Sequence, residues 1–310
     1  MRIVTIGEIL IDLTQTGYNQ QNIPMYAANP GGAPANVAVA ASRLGADTAF
    51  VGMVGSDGFG TYLAQVLKEN NVSTQGLRVG QGATTLAVVS VSAQGERSFQ
   101  FMRGADANLT ADQVDRDLIA GAGIVHFGSV SLTADPARTA TLHAVELAKQ
   151  QGVTVSYDPN YRAALWESQD QAVEWMRRPL SSVDILKLSD EEMELLSGSN
   201  DPETCSQVMA DKGISLVLIT LGSEGVFYRL GEHTGVVPGV PTKVADTNGA
   251  GDTFFGAVLS RLSRRTQGAL EGLTKEELEE ILTFANRAAS VTCSRSGAIP
   301  AMPTLEELAQ

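Results

Sequence analysis

Cysteine, histidine and positive charge are all scarce in this chain. Its two cysteines, Cys205 and Cys293, lie far apart, form no CxxC pair and have no histidine spacing around them. That argues against a disulfide framework or a zinc module. The three histidines, His126, His143 and His233, are scattered. Lysine and arginine number 22 against 35 aspartate and glutamate, a formal charge of −13. Long-range attraction to nucleic acid or to an anionic membrane cannot come from that balance, so an anionic ligand has to be held by local geometry. No apolar run approaches the ~18 residues of a membrane span. Glu8 interrupts the apolar N-terminus before a signal region can form. A soluble, reduced, cytoplasmic protein is the expectation. Common catalytic motifs are missing too. There is no Gly-Lys dipeptide and hence no Walker A loop, and there is no GxGxxG, GxSxG or HExxH.

What is present is a core-forming composition, 43% hydrophobic and 18% charged over 310 residues. Arg2 to Ile6 reads as a buried strand ended by Gly7, and residues 46–54 as another. Between them Pro34 to Leu44 reads as a helix closed by Gly45. Ile124 to Phe127, Val153 to Tyr157, Ile185 to Leu188 and Leu216 to Leu221 read as further strands. Ala137 to Gln151 and the stretches near 250–264 and 275–294 read as helices. Such alternation implies an α/β fold with a mostly parallel sheet covered on both faces. Residues 84–101 break the pattern with two strand-like runs around Ala93-Gln94-Gly95-Glu96, a hairpin signature. It is either an edge extension or a lid over a site. No linker or repeat divides the chain, so a single domain over residues 1–310 is expected.

The densest chemical signal is Asp246-Thr247-Asn248-Gly249-Ala250-Gly251-Asp252, after a strand-like Lys243-Val244-Ala245 and before a helix with Phe255, Val258, Leu259 and Leu262 on one face. Gly249-Ala250-Gly251 is then a small-residue turn at a helix N-terminus. The unpartnered N–H groups there can take a phosphate closely. Asp252, in the first turn, would be repelled by a bound polyphosphate unless a hydroxyl lay between them, which it could orient and deprotonate. A helix-capping role is the bland alternative for an isolated aspartate; the flanking Asp246, the small residues and the apolar helix favour the catalytic one. A second signal is Asn29-Pro30-Gly31-Gly32-Ala33-Pro34-Ala35-Asn36, where paired glycines precede a helix whose first turn carries an amide able to bind a sugar hydroxyl. A plain loop and cap fits that segment equally well on its own. Arg162 follows Asp158-Pro159-Asn160 at a strand end, where ligands gather in α/β sheets. His126 reads as a buried strand histidine and Cys293 as a core helix residue.

With these segments the chain resembles the PfkB, or ribokinase-like, family of carbohydrate kinases. Gly31 to Asn36 is similar to its N-terminal signature and Asp246 to Asp252 to its C-terminal DTxGAGD signature. The likeness spans essentially all 310 residues and is nearest to bacterial fructokinases, through Gly7 to Asp12, Phe127 to Ser131, Ser156 to Arg162 and Leu186 to Glu192. The resemblance implies a three-layer α/β/α sandwich with a small β lid near 12–30 and 82–103, which in the family often mediates dimerisation, so a homodimer is expected. It implies ATP-dependent phosphorylation of a sugar, most nearly fructose at its 6-hydroxyl, with 2-keto-3-deoxygluconate or another sugar or a nucleoside as alternative acceptors. It implies Asp252 as base and Gly249, Ala250 and Gly251 as anion hole. Asp12, Gly32, Asn36, Arg103 and Arg162 would meet the substrate, and Lys187, Thr220, Gly222, Gly225 and Asn286 the nucleotide. Glu192 would reach Mg2+ through water, and Asp246 with the carbonyls of Asn248, Arg295 and Gly297 would hold a monovalent cation such as K+. Three positions depart from the pattern: Ser189 replaces the asparagine of the NxxE motif ending at Glu192, Met102 replaces a frequent aromatic, and Ala301 replaces a polar residue near the cation.

Overall fold

The alternation read from the sequence builds one large twisted sheet, and the segments that interrupt it build a second sheet beside it. The computed structural model describes residues 1–91 and 97–309; the expected turn at Ala93 to Glu96 lies outside them. The first third holds β1 (Ile3–Ile6), β2 (Leu10–Tyr18), β3 (Pro24–Gly31), α1 (Ala33–Arg43), β4 (Thr48–Gly55), α2 (Gly58–Glu69), β5 (Val72–Gly80), β6 (Leu86–Val91) and β7 (Arg97–Met102). Next come α3 (Arg116–Ala120), β8 (Ile124–Phe127), α4 (Ala137–Gln150), β9 (Thr154–Tyr157), α5 (Gln169–Arg177), β10 (Ile185–Ser189), α6 (Asp190–Ser197) and α7 (Pro202–Ala210). The chain ends with β11 (Leu216–Thr220), β12 (Gly225–Leu230), β13 (His233–Pro238), α8 (Ala250–Leu262), α9 (Lys275–Cys293) and α10 (Leu305–Ala309).

The large sheet has the order β13-β12-β11-β10-β9-β8-β1-β4-β5. From β11 to β5 every pairing is parallel, and the β12–β13 hairpin adds an antiparallel edge. Both faces are covered, as the apolar strands require. Val217 and Ile219 pack into one core with α4 to α7 residues such as Ala144, Met176, Met193 and Met209. Leu216 and Leu218 point the other way, into a core with Val37 of α1, Phe255 and Leu259 of α8 and Leu282 of α9. This alternation along one strand is the period-two signature of a doubly covered sheet. His126 is buried as expected, while Cys293 is only half-buried at the end of α9, a correction to the core role read from sequence.

The second sheet joins the strands read at 84–101 to the segment near 12–30 that the family resemblance implied as part of the lid. Its order is β3-β2-β6-β7, with β6 parallel to β2 and the outer pairs antiparallel. The strand expected at Lys243 to Ala245 does not form. Those residues are in irregular chain, and the Ala245 and Asp246 N–H groups donate to the Cys293 carbonyl at 2.8 and 3.2 Å.

α1 and α8, which carry the two signature segments, cross closely enough that a Cβ on Gly256 would lie 2.7 Å from Ala40 Cβ and 2.9 Å from the Val37 carbonyl oxygen. Gly256 is one turn beyond Asp252, and Ala40 one turn beyond Asn36. Gly256→Ala is therefore expected to cost about 1–3 kcal/mol as an overpacking change and to part those two side chains. A urea midpoint equal to wild type would contradict this.

Candidate active site

The parallel strands end on one edge of the large sheet, where ligands bind in folds of this kind. The chain leaving β1 supplies Glu8, that leaving β9 supplies Asp158 to Arg162, and β10 carries Lys187. The start of α8 lies opposite, and β2 passes over the edge with Asp12. Together they enclose a cavity of about 360 Å³ whose lining includes Glu8, Asp12, Gly32, Asn36, Asn160, Arg162, Lys187, Asn248, Gly249, Gly251 and Asp252.

The segment Gly249 to Gly251 forms the start of α8 as expected, with the Ala250 N–H donating to the Thr247 carbonyl at 3.3 Å. Gly249 caps α8 with φ 74°, a left-handed conformation that glycine adopts without penalty. The Thr253 N–H donates to the Gly249 carbonyl at 2.8 Å as the helix begins. The N–H groups of Gly251 and Asp252 come before it and belong to the unpartnered first turn. Gly251 faces Lys187: a Cβ there would sit 3.2 Å from Nζ.

Asp252 is buried, and its two oxygens are each addressed by an amide. Asn36 donates from Nδ2 to Oδ2 at 2.8 Å, and Asn160 donates from Nδ2 to Oδ1 at 3.3 Å. Burial raises the Asp252 pKa to about 6, against the lowering effect of the Asn36 hydrogen bond. A carboxylate so tuned is ionised at neutral pH yet basic enough to accept a proton. The Asn36 Oδ1 is buried and accepts no hydrogen bond among the described residues, leaving an acceptor at the cavity wall. Asp12 is half-buried nearby, its pKa raised by burial to about 6 while Arg162 opposes the rise.

Lys187 Nζ donates to Asp158 Oδ2 at 2.8 Å, both groups being buried. Burial alone would lower the lysine pKa, but the Asp158 and Glu192 carboxylates outweigh it and the ammonium is stabilised. Glu192 accepts the Tyr161 N–H at 2.7 Å and the Ser189 N–H at 2.8 Å. Ser189 Oγ in turn accepts the Glu192 N–H at 3.3 Å, completing a capping box at the start of α6. Ser189 thus keeps the N-capping role that an asparagine there could also fill. Burial and Asp158 push the Glu192 pKa up.

The remaining expected residues fall into three places. Thr220 ends β11, Gly222 follows it and Gly225 opens β12, while Asn286 of α9 donates to the carbonyls of Val237 and Pro238 in β13, the strand paired with β12, at 3.2 and 3.0 Å. Asp246 accepts the Asn248 and Gly297 N–H groups at 3.1 Å each, which draws three of the expected cation-site residues together, whereas the Arg295 side chain pairs with Glu307 at 2.6 Å. Arg103 stands outside the cavity lining. Its guanidinium pairs with Asp106 at 2.8 Å and donates to the Val130 carbonyl and Thr133 Oγ1.

Sequence reasoning gave no role to two lining residues. Glu8, buried behind Gly32, accepts the Ala33 N–H at 3.0 Å through one oxygen, and burial raises its pKa to about 7. Its only sequence signal was a charge at the end of an apolar strand. Asn160 is addressed below. Among the described residues no group of three or more His, Cys, Asp or Glu side chains could hold a metal ion, and no helix is long and apolar enough to cross a membrane.

A helix N-terminus and a buried carboxylate converging on one cavity define an enzyme that transfers an anionic group to a hydroxyl acceptor. Comparison with known proteins gives the class its family. The model of the pfkB family carbohydrate kinases matches residues 1–305. The chain is 42% identical over 312 residues to fructokinase-2 of Solanum lycopersicum, covering 98% of this chain and 94% of that protein. Among solved structures, fructokinase with bound ATP from Xylella fastidiosa superposes with a TM-score of 0.92 at 32% identity, covering 99% of this chain and 97% of that one. A Vibrio cholerae O395 fructokinase double mutant in fructose, ADP and potassium ion bound form gives 0.88 at 31% identity, with the same coverage. The chain belongs to the pfkB family of carbohydrate kinases, and its mostly parallel central sheet flanked by helices, with a second small sheet, is the ribokinase-like fold.

Proposed function

We propose that this kinase transfers the γ-phosphoryl group of ATP to the 6-hydroxyl of D-fructose. The observation that carries the reading is the buried Asp252 carboxylate beside the first-turn N–H groups of α8, in one cavity with Asn36 and Asp12. The sugar lies against Asp12, Gly32, Asn36 and Arg162. ATP extends from the Thr220–Gly225 loop and Asn286 toward Lys187, with its terminal phosphate on the amides at Gly249 to Gly251. The sugar oxygen forms its bond to phosphorus as the bond from phosphorus to the ADP oxygen breaks. ADP leaves, and the hydroxyl proton passes to Asp252. The amide dipoles of the helix N-terminus neutralise charge on the phosphoryl oxygens without a basic patch.

Mg2+ when bound would neutralise phosphate charge. Glu192 would reach it through water, because both its oxygens already accept backbone N–H groups. A monovalent cation would lie at Asp246 with the carbonyls of Asn248, Arg295 and Gly297. The potassium ion bound form of the Vibrio cholerae relative supports the use of a monovalent cation. A homodimer through the second sheet fits the exposed Tyr18, Met25, Tyr26 and Met102, and a cytoplasmic location belongs to the same reading.

The acid sugar 2-keto-3-deoxygluconate would need cations for its carboxylate. Among the described residues lining the cavity Arg162 and Lys187 are the cations, and Lys187 is paired with Asp158 while Arg103 is paired with Asp106. Fructose is accordingly the better fit. ADP release measured across fructose, 2-keto-3-deoxygluconate, ribose, tagatose and adenosine should give the highest kcat/KM with fructose. A preference for the acid sugar would overturn the assignment.

The pH profile follows from the base. Asp252 must be ionised, and its pKa is about 6. Below that pH the carboxylate is protonated, so kcat/KM for fructose should fall about tenfold per pH unit. Asp12 titrates in the same region and should steepen the limb. A profile flat from pH 7.5 to 4.5 would remove Asp252 from the proton transfer.

A further inference from the structure

The catalytic carboxylate can act as a base only if one oxygen faces the acceptor hydroxyl while the other is held still. Asn36 holds only one of the two oxygens, Oδ2, through its Nδ2, and its own Oδ1 is left for the sugar. The second amide on Asp252 is Asn160, whose Nδ2 reaches Oδ1 at 3.3 Å. Asn160 lines the cavity, and its backbone has φ 48°. That left-handed conformation is one that asparagine tolerates better than other residues with a Cβ. It is fixed in place by its own N–H, which donates to Asp158 Oδ1 at 3.2 Å, while the other oxygen of Asp158 takes Lys187. One Asp-Pro-Asn turn after β9 therefore anchors the lysine beside Gly251 and presents an amide to Asp252.

We propose that Asn160 is a positioning residue for the base: it holds Oδ1 of Asp252 so that Oδ2, shared with Asn36, is the oxygen that receives the sugar proton. The inference rests on the phosphotransfer reading above and deepens it. The charged and titratable groups facing Asp252 are Asp158, Lys187 and Arg162, with Asp12 across the cavity. An amide can sit among them and donate to a carboxylate oxygen without adding a charge.

The test uses Asn160→Gly and Asn160→Asp in the full-length enzyme, assayed beside wild type with fructose and ATP. Glycine keeps the left-handed backbone and deletes only the amide; aspartate keeps the size but sets a second carboxylate against the base. Asn160→Gly is expected to lower kcat about ten- to a hundredfold, the usual worth of a hydrogen bond to a charged group. The KM for ATP should stay within about twofold of wild type, and the acid limb of kcat/KM should move upward because the ionised base has lost a donor. Asn160→Asp should lower kcat further and move the limb further. An Asn160→Gly enzyme with wild-type kcat and an unmoved limb would overturn the inference. So would one in which kcat, both KM values and the melting temperature all deteriorate together, since that is the mark of a structural role. Wild-type protein that phosphorylates another acceptor but not fructose would overturn the fructose reading alone, wild-type protein that phosphorylates no acceptor would overturn the phosphotransfer reading and the inference with it, and an active wild type with an indifferent variant overturns the inference alone.

Discussion

Asp252→Asn is expected to lower kcat by about 10²–10⁴, the range attributed to a positioned general base, while fructose binding and the fold survive. The substitution is nearly isosteric, and the buried site already contains two amides. The Asn36 Nδ2, 2.8 Å from Oδ2, still finds an acceptor if the new amide presents its oxygen there. The variant loses proton acceptance and, because its NH2 then faces the Asn160 Nδ2, the Asn160 hydrogen bond as well. Single-turnover phosphorylation by rapid quench, together with calorimetric binding of fructose, separates chemistry from affinity. Turnover near wild type would remove Asp252 from the mechanism. Loss of sugar binding with turnover of the bound fraction intact would make it a binding residue instead.

The second large effect is expected at Gly251. A Cβ there would come to 3.2 Å from Lys187 Nζ, and a branched side chain would project into the space the terminal phosphate is proposed to occupy. Gly251→Val should therefore block the approach of phosphate to the α8 amides and push Lys187 against Asp158. The loss of one preorganised donor costs about 3–4 kcal/mol in related electrostatic sites. A fall in kcat/KM for ATP of at least a hundredfold is expected, with ADP, which lacks the γ-phosphate, binding much closer to normally. Initial rates against ATP and equilibrium binding of ADP check the two halves. An unchanged kcat/KM for ATP would count against the anion-hole assignment.

How much of this was readable beforehand depended on whether the signal was local. The Gly249–Asp252 turn announced itself because a helix N-terminus, its small residues and its first-turn carboxylate are consecutive, and Asp252 does line the cavity. The parallel strands were legible as apolar runs because both faces are covered. β3 was not, because Pro24 and Pro30 argue against a strand; it forms as the outer strand of the second sheet, where proline is tolerated. Lys243 to Ala245 misled in the opposite direction. Val244 has strand propensity, yet it is exposed and the neighbouring N–H groups are taken by the Cys293 carbonyl. Asn160 could not have been singled out from spacing, since its partner Asp252 lies 92 positions away and meets it only in the folded chain. Arg103 was expected at the substrate, but Asp106, three residues on, captures its guanidinium.

The most direct measurement is a crystal structure of the kinase with fructose and a non-hydrolysable ATP analogue. The terminal phosphorus should lie against the N–H groups of Gly249 to Asp252, with the sugar 6-hydroxyl between it and the Asp252 carboxylate. A terminal phosphorus bound away from the start of α8, or a sugar whose hydroxyls all avoid Asp252, would contradict the account.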